Sequence, residues 1–144
     1  MAAERKAEVV WQGDLMNGSG TIDQVGSGAF GPLDVSWPSR AEEPNGRTSP
    51  EELIAAAWAA CFAMALSHSL AQGDNPPEKL ETSATVTFQP GEGIVRGALT
   101  VRGTVPGMDA DAFREAAEGA KANCPVSKAL AGIPDVSLTA ELAG

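Results

Sequence analysis

The chain has 144 residues, of which 43% are hydrophobic and 20% charged, as is typical of one folded globular domain over residues 1–144. Its formal net charge of −9 disfavours binding to nucleic acid and to anionic membranes, because such a chain repels phosphate groups. One histidine and two cysteines cannot form a four-ligand zinc site without carboxylates or a second chain. We therefore expect neither a metal nor another cofactor.

The first third of the chain is predicted to form strands followed by a loop. Short segments between glycine-rich turns favour an antiparallel meander; they cover residues 7–12, 19–23 and 31–37. Residues 38–49 are polar and contain Pro38 and Pro44, which indicates a loop.

A long helix follows this loop. Ser49 is the predicted N-cap, Pro50 fits the first helical position, and Glu52 has the spacing of a capping box. The helix should run to about Ala71. Its apolar residues cover nearly every face, so the helix must be surrounded by protein. One sheet covers one side only, and we expect a second copy of the chain to cover the other.

The remaining elements complete an α+β order. A hairpin is predicted from residues 80–89 and 94–105, and Asp109 is placed to cap a helix over 110–122. A short helix beginning at Pro125 and a last strand close the chain; they cover residues 126–131 and 135–141.

Compartment and membrane association follow from the apolar patterning. Residues 1–13 contain charges but no apolar core of a signal peptide, so we predict a cytoplasmic protein with reduced cysteines. The apolar run from Leu53 to Leu66 is shorter than the roughly 18–20 residues that a bilayer requires. This run indicates a helix buried inside protein rather than a membrane span.

The two cysteines occupy different surroundings. Cys61 lies among small residues in the long helix, as a buried structural thiol would. Cys124 precedes Pro125 at a helix start, where unpaired amide groups favour a thiolate. The cysteines are 63 positions apart, so their pairing is open. His68 is about 10 Å from Cys61 along one helix, too far for a nucleophile–base pair, and is interpreted as a polar residue near the helix end.

Two blocks of the sequence resemble the OsmC/Ohr superfamily of osmotically inducible protein C and organic hydroperoxide resistance proteins. The first reads TSPEELIAAAWAACFAMALS over residues 48–67, and the second reads AKANCPVSKAL over residues 120–130. Residues 106–109 (PGMD) also fit, and the resemblance is closer to the OsmC branch. It implies an OsmC-like fold with antiparallel sheets around a long buried central helix. It also implies an intertwined homodimer with active sites at the subunit interface.

The resemblance further implies a thiol-dependent peroxidase that reduces organic hydroperoxides. Matched by position, Cys61 is the peroxidatic thiol and Cys124 the resolving thiol that forms a disulfide with it. Glu51 matches the family's carboxylate. Arg40 is the best match to the family's loop arginine, and Arg47 is its rival. The implied reductant is a dithiol, for which the superfamily offers a lipoylated protein.

The same helix supplies a predicted apolar substrate lining of Trp58, Phe62 and Met64, which would favour alkyl peroxides over hydrogen peroxide. Trp58 stands where the OsmC branch usually has histidine. Glu51 and Cys61 would lie about 15 Å apart on one straight helix. The carboxylate that reaches each thiol is therefore expected from the partner chain, or the helix bends after its first turn.

Two other classes of protein fit the same residues. One is a binding or carrier protein that uses an apolar cleft without turnover. The other is a structural dimer whose cysteines form a staple or are inert. Cysteine-dependent consumption of peroxide distinguishes the peroxidase from both.

Overall fold

The computed structural model describes residues 2–143, which form two compact units, one ending at Leu53 and one beginning at Ile54. In chain order the elements are β1 (Val9–Gln12), β2 (Ser19–Ile22), β3 (Leu33–Val35), α1 (Trp37–Ala41), α2 (Pro50–Gln72), β4 (Lys79–Gln89), β5 (Gly93–Thr104), α3 (Ala110–Asn123), α4 (Pro125–Ala129) and β6 (Asp135–Leu142). The α+β class is confirmed. The single domain over residues 1–144 stays a prediction.

The first unit contains the predicted meander. Strands β1, β2 and β3 pair in that order, and both pairings are antiparallel. Gly20 lies opposite Trp11, and a Cβ at Gly20 would lie 2.7 Å from the Trp11 ring. The glycine therefore lets the indole lie across the neighbouring strand.

Residues 38–49 are not entirely a loop, because α1 occupies the start of that segment. The Ser36 hydroxyl accepts from the Ser39 N–H at 3.2 Å, and the Ser39 hydroxyl accepts from the Ser36 N–H at 3.0 Å. This reciprocal cap begins a helix. Pro38, interpreted above as a breaker, lies in the first turn, where a missing N–H costs no hydrogen bond.

Helix α2 begins where its capping residues predict. The Ser49 hydroxyl accepts from the Glu52 N–H at 3.2 Å, which confirms Ser49 as the cap. The Glu52 carboxylate accepts instead from the Thr48 hydroxyl at 2.8 Å. The reciprocal half of the predicted capping box is thus replaced by a contact one residue earlier.

One stripe of α2 is buried in the core of the second unit. Residues four apart make up this stripe, namely Trp58, Phe62, Leu66 and Leu70, each at most 2% exposed. On another face Ala56 and Ala60 are exposed, and Met64 is 72% exposed. The chain itself therefore covers only one side of this helix.

Helix α2 extends beyond the apolar run from Leu53 to Leu66 at both ends. The helix has 23 residues and a mean hydropathy of 1.7 in its most apolar window, so length and composition alone would permit a membrane span. The core helix of a soluble protein meets the same criterion. In the single chain 22% of that window is buried, through the stripe packed into the second unit, so the burial of α2 inside protein rather than in a membrane stays a prediction.

The second unit contains a three-stranded sheet in the order β4-β5-β6. Strands β4 and β5 form the predicted antiparallel hairpin, but β6 pairs with β5 in parallel. The prediction of purely antiparallel sheets is therefore wrong for this pair. The chain leaves β5 through α3 and α4 before it returns, and such a crossover allows the two strands to run in the same direction.

Helix α3 packs with α2 on one face of this sheet. The Asp109 carboxylate accepts from the Ala112 N–H at 2.8 Å, which confirms the predicted cap. Buried residues of α2, β5, α3 and the α3–α4 junction form one core cluster, which includes Leu99, Val101, Phe113 and Cys124. This arrangement places the junction between α3 and α4 beside the middle of α2.

Candidate active site

The structure brings the two cysteines together in the second unit. Cys61 lies in the middle of α2 and is partly exposed, whereas Cys124 joins α3 to α4 and is fully buried. Both are free thiols; Cys124 belongs to the buried core cluster and Cys61 packs against that cluster, and the interaction of the two side chains shifts the pKa of each. The contact makes a redox pair sterically accessible, although a disulfide between them stays a prediction.

The two thiols differ in acidity. Burial raises the pKa of the Cys61 thiol, and its hydrogen bond to Cys124 raises that pKa further. Burial also acts upward on the pKa of Cys124, but hydrogen bonds from Cys61 and from Ser127 outweigh it and lower that pKa. The lowered pKa of Cys124 agrees with its predicted place at a helix start.

A third polar group contacts this thiol pair, and sequence analysis missed it. The Trp58 indole N–H donates to the Ser127 hydroxyl at 2.8 Å, and Ser127, the third residue of α4, lowers the pKa of the Cys124 thiol that precedes this helix. Ser127 follows Cys124 by three positions at the start of α4. That spacing is typical of a residue that contacts a helix cap, and it is the feature of the sequence that could have indicated Ser127.

The first unit holds an arginine–carboxylate pair. The Arg40 Nε lies 3.0 and 3.2 Å from the two oxygens of Glu51, and Nη2 lies 2.8 Å from Oε2. Glu51 is 6% exposed, and the Arg40 guanidinium lies over the Trp37 ring at 6.0 Å. Arg47 is exposed, and its backbone N–H closes a turn onto Pro44. Of the two candidate arginines, Arg40 is thus the one held by the carboxylate.

Trp37 is the second residue that sequence analysis missed. Its position three residues before Arg40 in the short helix α1 places ring and guanidinium on one face. Because residues 38–49 were predicted to be a loop, the three-residue spacing of Trp37 and Arg40 did not indicate a contact on a helix.

The predicted substrate-lining residues do not share one environment. Trp58 and Phe62 are buried in the core, whereas Met64 is exposed on another face of α2. His68 is exposed toward the end of the same helix. Among residues 2–143 no group of three or more His, Cys, Asp or Glu side chains is placed to hold a metal ion.

Comparisons with known proteins agree on one family. Residues 43–139 match the family model described as OsmC-like protein. The chain is 39% identical over 133 residues to peroxiredoxin OsmC of Escherichia coli strain K12, covering 90% of this chain and 92% of that protein. It is 30% identical to the organic hydroperoxide resistance protein OhrB of Bacillus subtilis strain 168 over 107 residues, which cover 74% of this chain and 79% of OhrB.

A solved structure shows the same fold. The crystal structure of an organic hydroperoxide resistance protein OsmC from Legionella pneumophila matches with a TM-score of 0.70 and 25% identity. The match covers 97% of this chain and 99% of that one. The predicted OsmC-like fold is thereby confirmed, and the homodimer stays a prediction.

Proposed function

The chain belongs to the OsmC family, and on that premise we propose that it is a thiol-dependent peroxidase that reduces organic hydroperoxides to alcohols. The observation that carries the proposal is the contact between a partly exposed thiol, Cys61, and a fully buried one, Cys124. Relatives named peroxiredoxin and organic hydroperoxide resistance protein support a peroxide-related role.

The proposed reaction uses the two thiols in turn. The Cys61 thiolate attacks the distal oxygen of the hydroperoxide, the O–O bond breaks, and the alkoxide leaves and takes a proton to become the alcohol. Cys61 is then a sulfenic acid. The Cys124 sulfur attacks it, water leaves, and a disulfide joins the two residues. A dithiol, such as a lipoylated protein, returns both residues to thiols in the cytoplasm, where such reductants are maintained.

Cys61 needs a positive charge to react as a thiolate. Burial works against its ionisation and raises its pKa, and a guanidinium supplies a fixed charge that cannot deprotonate. The proposed source is Arg40, oriented by its bidentate contact with Glu51. Trp58, Phe62 and Met64 stay the proposed apolar lining for the alkyl group; in the single chain only Met64 presents surface to it, because Trp58 and Phe62 are 1% and 0% exposed.

We place the arginine of each site on the partner chain of a homodimer. Helix α2 is uninterrupted, and the ten residues from Glu51 to Cys61 correspond to a rise of about 15 Å. Apolar surface that a second copy would cover is present in both units. Met64 is 72% exposed in the second, and β1 in the first exposes Val9, Val10 and Trp11 by 40% or more.

Peroxide consumption tests the activity. The wild-type protein with dithiothreitol should consume cumene or tert-butyl hydroperoxide, and Cys61→Ser should abolish this turnover. Cys124→Ser should complete one reaction per chain and then overoxidise, because the sulfenic acid has no partner. Full activity in Cys61→Ser would refute the mechanism. Absence of turnover in the wild type would favour a binding protein or an inert structural dimer instead.

Mixed dimers test the placement of Arg40. Neither Cys61→Ser nor Arg40→Ala should be active alone. If the arginine acts across the dimer, mixing the two variants should restore activity, because the Cys61 of one chain then faces the Arg40 of the other. Mixtures that stay inactive while heterodimers are detected by native mass spectrometry would place both residues on one chain.

A further inference from the structure

Ser127 lies between the Trp58 indole and the Cys124 sulfur. The indole N–H can only donate, so at 2.8 Å the Ser127 oxygen must accept from it. This contact uses one of the two acceptor lone pairs of Ser127 and leaves its own proton to donate elsewhere. Ser127 is the third residue of α4, the helix that Cys124 directly precedes, and its hydroxyl lowers the pKa of the Cys124 thiol, which is the effect of a hydrogen-bond donor near a thiolate.

The indole has little freedom to leave this arrangement. Trp58 is 1% exposed, and its ring lies over Gly97 of β5, where a Cβ would overlap the ring atoms. The sheet therefore fixes the indole, and the indole fixes the orientation of the Ser127 hydroxyl.

We propose that Trp58 and Ser127 are positioning residues that aim the Ser127 hydroxyl at Cys124, and that Cys124 is thereby the leaving group when the disulfide is reduced. The inference rests on the proposed function only in that it takes the Cys61–Cys124 disulfide as the oxidised form. It extends that function by assigning the sulfur that the reductant attacks.

The reduction then follows one order. A thiolate of the dithiol attacks the Cys61 sulfur, the bond between the two cysteines breaks, and Cys124 takes the electron pair as a thiolate held by Ser127. The exposure of the two sulfurs agrees with this order, since the reductant can reach Cys61, which is partly exposed, more readily than Cys124, which is 0% exposed. The second thiolate of the reductant attacks the mixed disulfide, which releases Cys61 and the oxidised dithiol. The two protons that the dithiol gives up through solvent end on the two cysteines.

Titration of a single thiol tests the positioning role. In Cys61→Ser only Cys124 can ionise among the cysteines, and its thiolate absorbance is followed against pH. Adding Ser127→Ala should raise the midpoint by about one pH unit, as expected for one hydrogen bond to a charged group. Ser127→Thr retains the hydroxyl and should restore the midpoint. Trp58→Phe should raise it by a smaller amount. An unchanged midpoint in Ser127→Ala would overturn the inference.

Reduction kinetics test the leaving group. The disulfide is formed with diamide, so that no peroxidase activity is needed, and is then reduced with dithiothreitol. Ser127→Ala should slow this step on the order of threefold, for a leaving-group dependence similar to that of attacking thiols. With 2-mercaptoethanol, peptide mapping should find the mixed disulfide on Cys61. Its presence on Cys124 would refute the proposed order.

The two proposals fail in different ways. A wild type that does not consume peroxide, but whose diamide-formed disulfide is reduced at a Ser127-dependent rate, would refute the peroxidase and retain the positioning role. A wild type that consumes peroxide, together with titration and reduction that Ser127→Ala leaves unchanged, would retain the peroxidase and refute the positioning role.

Discussion

Truncation of Arg40 to alanine should leave the Glu51 carboxylate, which is 6% exposed, without its three guanidinium contacts. Removal of one partner of a fully buried pair costs about 3–5 kcal/mol. The Arg40 side chain is 31% exposed, so water can replace part of the lost interaction. We therefore expect the free energy of unfolding to fall by about 1.5–3 kcal/mol.

A double-mutant cycle separates the pair from other effects of the truncation. Arg40→Ala also removes the contact with Trp37, and the cycle with Glu51→Ala cancels that contribution. The expected coupling energy is about 1–2 kcal/mol, because the contact is bidentate and shielded. Arg96 and Asp135 provide a matched control. Their Nε–Oδ2 distance is also 3.0 Å, but the side chains are 63% and 60% exposed, and we expect a coupling of at most about 0.5 kcal/mol.

Urea unfolding followed by tryptophan fluorescence measures both cycles. The protein concentration must be the same for all variants, since association of the chains would add to the apparent stability. If the Arg40–Glu51 coupling were no larger than the Arg96–Asp135 coupling, burial would not be what strengthens this pair. The reasoning that assigns Glu51 the role of holding the guanidinium would then be refuted.

Three further predictions concern stability. Gly97→Ala should destabilise the protein by about 1–3 kcal/mol, because its Cβ would overlap the buried Trp58 ring; Gly119→Ala, in the exposed middle of α3 with nothing within 4 Å, should instead stabilise it by about 0.5–1 kcal/mol. Urea midpoints that moved in the same direction would contradict this. Asp109→Ala should cost about 1 kcal/mol in the same assay through loss of the helix cap, whereas an unchanged midpoint would show that the cap contributes nothing. Because the folded chain raises the pKa of Cys61, stability should be retained below the ordinary thiol pKa of 9.0 and fall as the pH rises above it, and Cys61→Ser should remove this fall; parallel pH profiles would contradict it.

Most of the secondary structure could be predicted from short stretches of the sequence. The Ser49 and Asp109 caps and the Pro125 start are contacts within one turn, so their spacing in the sequence is also their spacing in space. The hairpin was equally readable from its alternating residues. Helix α1 was not predicted, because Pro38 was interpreted as a breaker. A proline breaks the interior of a helix but is favourable in its first turn.

The sequence by itself determined that two unequal thiols and one long apolar helix dominate the chain, because residue type and helical spacing decide both. The resemblance made Arg40 the best match for the site arginine and Arg47 its rival, and that assignment stays a prediction. The contact of Arg40 with Glu51, the parallel pairing of β6, and the contact of Trp58 with Ser127 and Gly97 were decided by the tertiary structure. Each of these joins residues distant in sequence, and their approach depends on how the connecting elements pack, which no local pattern encodes.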